Sequence, residues 1–459
     1  MLLLHIRHAE NKENQGKIMT DQNDKQELLD FYQPFFKGVQ LPYDLLEIHN
    51  ISDGAKQGHF IEFRYGGFGS ELSAHPTEKN QFYALTDRGP NTTYDVNHDH
   101  GKIFLNPSYT PRIGLFKLEV NGTITKIKEI LLKNPEDKYI TGLPNQHFGA
   151  TKEIAYDQNL QVLKEGTDEF GLDSEGFTAL KDGTFWVSDE YGPHIVHFDE
   201  NGVEIDRINA YEQDHHRKSG YLLPAEYANR RQNRGMEGLS ITPDQKNLVG
   251  IMQSTMSNPD ASVTKSDLVR IVMIHLETQA ISQYLYKQEG GAQAYSNTAI
   301  TALNSNSFLV AERDDDFYKD NPQAFKRIYK INLNDATDLE SVIESDQIKQ
   351  DAKIGLTIDG QSIEQYVLSA GWEGLAEHGI FPVSKTLVID LVERLQYPHD
   401  KVEGLWVIDD QHLAVINDDD YGFSETDGVL EQKYLDQDKT IIDTNTLYII
   451  DGLDLKPIP

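Results

Sequence analysis

The chain has 459 residues, 38% of them hydrophobic and 10% aromatic, enough to build a large core. Lys and Arg number 42 against 74 Asp and Glu, a net charge of -32, which disfavours nucleic acid and anionic membranes as partners because their phosphates repel such a surface. The absence of cysteine excludes disulfides, thiolate metal sites and cysteine nucleophiles, and no apolar run is long enough for a spanning helix, so no membrane insertion is expected.

The chain opens with MLLLHIRHAENKENQGK, which lacks the basic-then-apolar layout of a secretory signal, so a cytoplasmic protein is the default expectation. The same stretch is similar to the opening strand and phosphohistidine loop of the histidine phosphatase family, with Arg7, His8, Asn14 and Gly16 in suggestive places. That family needs an α/β domain behind the loop. Here a polar, helix-like segment from Asp21 to Phe36 and then a β-rich chain follow, which predicts a non-native or misplaced start, with Met19 as an alternative. Residues 1–40 read as a polar, helical extension and residues 41–459 as one domain.

From residue 68 onward one pattern returns. It appears as GSELSAHPTEKNQFYALTDRGPN, DSEGFTALKDGTFWVSDEYGP, GMEGLSITPDQKNLVGIMQS, SNTAITALNSNSFLVAERDDD and KVEGLWVIDDQHLAVINDDDYG. Each unit reads strand, turn, strand. The turns carry residues tolerant of turn geometry, and the apolar runs suit strands buried on both faces. The same spacing separates Glu175 from Asp189, Thr298 from Glu312 and Glu403 from Asn417; Glu237 to Gln253 is longer by its turn. Outer strand pairs follow most units, two of them joined by Asn121-Gly122 and Asn201-Gly202, a strong short hairpin signal.

Four sequential strands, repeated, predict an all-β chain folded as a β-propeller. Six blades are expected, within a range of five to seven, with the segment from His59 supplying the last outer strand. A pair of β-sandwiches is the alternative, ranked lower because no central linker divides the chain. Residues 346–401 fit the template poorly and read as a helical insertion, carried by KTLVIDLVERLQY, or a hidden blade.

In a hairpin the start of the first strand lies beside the end of the second, and a propeller gathers its innermost strands about one axis. Glu175, Glu237, Glu403, Asn417, Asp418 and Asp87 are thus expected at one channel mouth, as are Glu312 and Arg313. Carboxylates gathered there repel unless neutralised, and oxygen donors without His or Cys favour Ca2+, then Mg2+ or Mn2+. The competing expectation is that Glu-Gly punctuates the blades, with Glu bonding a local N–H or Arg. Arg88, Arg234 and Arg313 stand within three residues of acids and could grip phosphate or carboxylate, or form salt bridges between blades. There is no G-x-S-x-G elbow, H-E-x-x-H or P-loop, so metal-activated water is the expected nucleophile, with Asp189, Glu190 or Glu312 taking its proton. The His-bearing runs NHDHGK and EQDHHRK look metal-friendly, but they lie in polar, loop-like stretches, so solvated loops are expected before a ligand site.

At these repeated motifs the chain resembles the esterase-like activity of phytase family of bacterial proteins, over most of Phe68 to Tyr421. The resemblance implies phosphoester or ester hydrolysis of a small molecule and, since members often carry export signals, a periplasmic or secreted setting. The Glu-Gly openings also loosely resemble calcium-dependent lactonase propellers, where such a Glu binds the central metal. The reading is therefore a divalent-metal hydrolase of a small, anionic ester, expected to be a monomer. The alternatives are a lactonase and a non-catalytic ligand- or protein-binding propeller.

Overall fold

The computed structural model of the protein describes residues 26–49, 60–96, 99–290, 295–426 and 429–458. Arg7, His8, Asn14, Gly16 and Met19 lie outside them. Each repeated unit forms the hairpin expected of it: Glu71–Ala74 with Gln81–Leu85, Ser174–Ala179 with Phe185–Asp189, Met236–Ile241 with Asn247–Met252, Ser296–Ala302 with Ser307–Arg313, and Gly404–Val407 with Leu413–Ile416. Two further antiparallel strands complete each one, giving five four-stranded sheets among the described residues. The innermost strand of each sheet touches those of two others, in the order first, second, third, fourth, fifth, first. This is a β-propeller arrangement.

The core lies between neighbouring sheets. Phe82, Phe116 and Leu72 of the first sheet pack with Trp406 and Ile416 of the fifth, and Leu85, Ile113 and Tyr83 pack with Phe177, Phe185 and Val187 of the second. Trp406 stacks on Phe82 with ring centroids 5.3 Å apart, a contact worth about 0.5–1.5 kcal/mol beyond the area it buries.

The glycine of the Glu-Gly pair now has a reason. A Cβ on Gly176 would lie 2.5 Å from the Leu239 nitrogen, and one on Gly238 2.6 Å from the Ile300 nitrogen. Each glycine thus lets its inner strand approach the backbone of the next sheet. Gly238→Ala is expected to cost about 1–3 kcal/mol by overpacking against backbone that cannot step aside. It should appear as a lowered urea midpoint, and an unchanged midpoint would show that the sheets have room to part.

Two expectations are corrected. The last sheet is completed by Val39–Gln40 on Thr446–Ile450, whereas Phe60–Tyr65 pairs with Asp44–His49. The reason is apolar anchoring: Phe35 and Leu41, flanking Val39–Gln40, are buried with Leu447 and Ile449, while Phe63 stacks on Tyr421 at 5.4 Å. The second correction concerns KTLVIDLVERLQY, which is mostly not helical. Ser384–Asp390 is the outer strand of the fourth sheet, paired with Lys326–Asn332, and only Leu391–Leu395 is helical. The longer helix is Ile363–Glu377, started by a Ser362–Gln365 capping box and interrupted at Gly371, where φ is 73°. It follows a small three-stranded sheet, Ile348–Asp351, Gly355–Ile358 and Gln361–Ser362.

Candidate active site

One face of the ring is built by a position that recurs in all five sheets. Asp87, Glu190, Gln253, Arg313 and Asp418 stand at or just beyond the end of each second strand, and all five line a cavity of about 320 Å³. The register is shared: the Glu190 N–H donates to the Asp173 carbonyl at 2.8 Å, the Gln253 N–H to the Gly235 carbonyl at 3.0 Å, and Arg313 pairs with Ser296. Glu175, Glu237 and Glu403 enter the same cavity from the first strands, with Arg88, Lys102, Lys401 and Asp420 around them.

The expected Asp189, Glu312 and Asn417 do not line it. Each stands one residue before the cavity position, and successive strand side chains point to opposite faces. Asp189 accepts N–H groups of Asp173 (2.9 Å), Tyr191 (3.2 Å) and Gly192 (2.7 Å). Glu312 accepts the Glu289 N–H at 3.0 Å together with the Tyr286 hydroxyl and the Lys385 ammonium. Asn417 accepts the Thr446 N–H at 2.7 Å and donates to Asp443 at 3.2 Å. All three are tied into the sheets. Arg234 also stands outside the cavity lining, and its charge offsets part of the burial cost at Glu190.

Within the cavity most charges are matched. The Arg313 guanidinium meets Glu403 at 2.8 Å, and Lys401 meets Asp418 at 2.6 Å and Asp420 at 2.7 Å. Gln253, standing where an acid would continue the pattern, donates one amide to Glu190 at 2.8 Å and to both oxygens of Glu237 at 3.1 Å. An amide relieves what a third carboxylate would aggravate. Glu190 and Glu237 are nonetheless both pushed up to about 8, chiefly by burial, and Glu403 to about 7 for the same reason.

A tighter cluster lies at Asp87, Asp173 and Glu175, whose carboxylates offer oxygens all within 4.8 Å of one another. Asp173 is fully buried; Arg88 approaches it at 2.8 Å, yet neither of its oxygens has an aligned hydrogen-bond donor. Glu175 has no hydrogen bond or ion pair among the described residues, and burial, with Glu237 and Asp87 nearby, holds its carboxyl well above the usual range. The donor set, all carboxylate oxygen, fits a hard divalent cation.

Two functional candidates escaped the sequence reading. Asp173 opens the quoted DSEGF motif, and its burial beside Arg88 could not be read from spacing. Lys102 belongs to the hairpin Asn91–Val96 with Asp99–Phe104, inserted between the second and third strands of the first sheet. It lines the cavity with no hydrogen bond or ion pair among the described residues, and burial and the Arg88 charge depress its pKa.

The chain is 30% identical over 232 residues to an uncharacterized secreted protein of Arthroderma benhamiae, a match covering 42% of this chain and 45% of that one. It thus spans less than half the length of that relative. Solved structures with a similar course include a periplasmic gluconolactonase of Pseudomonas aeruginosa, 9% identical, covering 64% of this chain and 79% of that one at a TM-score of 0.25. An aldose sugar dehydrogenase of Streptomyces coelicolor is 10% identical, covering 90% and 93% at a TM-score of 0.29. At such scores these likenesses say nothing about chemistry. Among the described residues no helix is long and apolar enough to cross a membrane. The model of one family, Phytase-like (esterase-like activity of phytase), matches residues 64–421, and with most of its length so matched the chain belongs to that family.

Proposed function

We propose that the protein hydrolyses a small anionic ester, a phosphoester or a carboxylic ester, in this cavity, and that Asp87, Asp173 and Glu175 hold a divalent cation, Ca2+ before Mg2+ or Mn2+. The observation that carries the reading is Glu175, a carboxylate without a partner among the described residues, set against two further acids in a cavity that also presents Arg88, Lys102 and Arg313. A cation bound there supplies neutralising charge and Lewis acidity.

The protein's own groups supply the rest. Lys102 is a cation without a partner among the described residues. Arg88 and Arg313 each keep an Nε–H without a hydrogen-bond partner although their other nitrogens are engaged. These groups suit the oxygens of an anionic substrate. Glu190, protonated near neutral pH because it is buried, can give a proton to the leaving oxygen, and Gln253 holds it in place.

Purified protein should hydrolyse a generic phosphomonoester or an activated ester, and a chelator should abolish the activity until Ca2+, Mg2+ or Mn2+ is restored. Silence across phosphoester, ester and lactone substrates with all three ions would favour a binding propeller. Activity on lactones alone would favour a lactonase.

A further inference from the structure

Away from the cavity, two connections flanking the second sheet bring Glu169, His215 and His216 together. One ligand atom from each lies within 4.8 Å of the others. The ring nitrogen Nε2 of His216 stands 3.3 Å from the Glu169 carboxylate. Zinc bonds of about 2.0–2.1 Å at tetrahedral angles put neighbouring donors about 3.4 Å apart, so this pair already has the separation of two ligands on one ion.

His216 is also held as a ligand would be. Its other ring nitrogen lies 3.1 Å from Asp214, a buried carboxylate that also accepts the backbone N–H of His216 at 2.9 Å. Asn209 in turn donates to the second Asp214 oxygen at 2.7 Å. With Nδ1 beside a carboxylate, Nε2 is the ring nitrogen left to meet an ion. Phe170 packs on the His216 ring at 4.7 Å, and His215 lies against it at 4.3 Å.

We propose that Glu169, His215 and His216 bind a divalent transition-metal ion, Zn2+ by preference, which fastens the connection before the second sheet to the one after it. Two imidazoles and one carboxylate select Zn2+ over Ca2+, since imidazole suits the former and an all-oxygen shell the latter. A fourth tetrahedral position is left for water. The site shares no residue with the cavity, so its fate and that of the proposed hydrolysis are separate.

The test uses tag-free protein, dialysed against chelator and titrated calorimetrically with Zn2+, with Co2+ as a coloured substitute. One Zn2+ should bind, Ca2+ should not displace it, and Co2+ should give the visible absorption of a tetrahedral site. His215→Ala and Glu169→Gln, both at exposed positions, should each weaken Zn2+ binding tenfold or more. Asp214→Asn keeps all three ligands and should weaken it about 10–100-fold. Zn2+ binding that is absent from the wild type, or equal in wild type, His215→Ala and Glu169→Gln, overturns the proposal.

Discussion

Ca2+ is expected to raise the melting temperature of the wild type and not that of a Glu175→Gln protein, whose hydrolysis should fall by the 10²–10³-fold that removal of one electrostatic group at a reacting centre commonly costs. A ligand that binds only the folded form stabilises it by about 2.7 kcal/mol at a hundredfold excess over its dissociation constant. Without metal the same change should be neutral or stabilising, because Gln keeps the size of Glu175 and stays neutral beside the neighbouring acids without having to take up a proton. Glu403→Gln makes a useful contrast. Glu403 is paired with Arg313 at 2.8 Å, so its loss should lower stability with or without Ca2+. Melting curves and rates for both variants, with chelator and with Ca2+, distinguish the two roles. A Ca2+ response that survives in Glu175→Gln removes Glu175 from the metal site.

The second large effect is structural. Arg270, in the third sheet, is buried and grips Glu364 through Nε at 2.7 Å and Nη2 at 3.2 Å, with Glu226 at 3.1 Å on its third nitrogen. Glu364 lies in the first turn of the Ile363–Glu377 helix, so this pair fastens the inserted helix to the propeller. Glu364→Ala should cost about 3–5 kcal/mol, since it leaves a buried guanidinium short of its closest counter-charge. Arg270→Met combined with Glu364→Met should recover part of that loss, because apolar side chains of similar volume need no counter-charge. Urea denaturation of the three proteins measures it. A single variant as stable as the wild type would show that Glu226 alone balances Arg270. The Ca2+ response should be unaffected in each, as these residues stand apart from the cavity.

The five hairpins were legible because strand alternation, turn residues and apolar runs are local properties, repeated often enough to check one another. The gathering of Glu175, Glu237 and Glu403 followed from that repetition. The second-strand acids were harder. Counting by equal spacing selected Asp189, Glu312 and Asn417, but a period of two makes one residue the whole difference between the cavity and the sheet interior. Glu190, Arg313 and Asp418 hold the inward positions. Lys102 and Asp173 carried no spacing signal, since the first arrives on an inserted hairpin and the second owes its character to burial.

The sequence by itself determined the repeated strand-turn-strand units, the propeller class and the concentration of carboxylates at one end of it. Each rests on neighbours within about 20 residues, where covalent geometry and hydrophobic pattern decide. Only the tertiary structure decided which strand completes the fifth sheet, which acids are paired and which of them stands alone. Those outcomes depend on contacts between segments about 90 to about 400 positions apart. Val39 reaches Leu447, Arg313 finds Glu403, and Glu175 meets Asp87 without an ion pair of its own among the described residues.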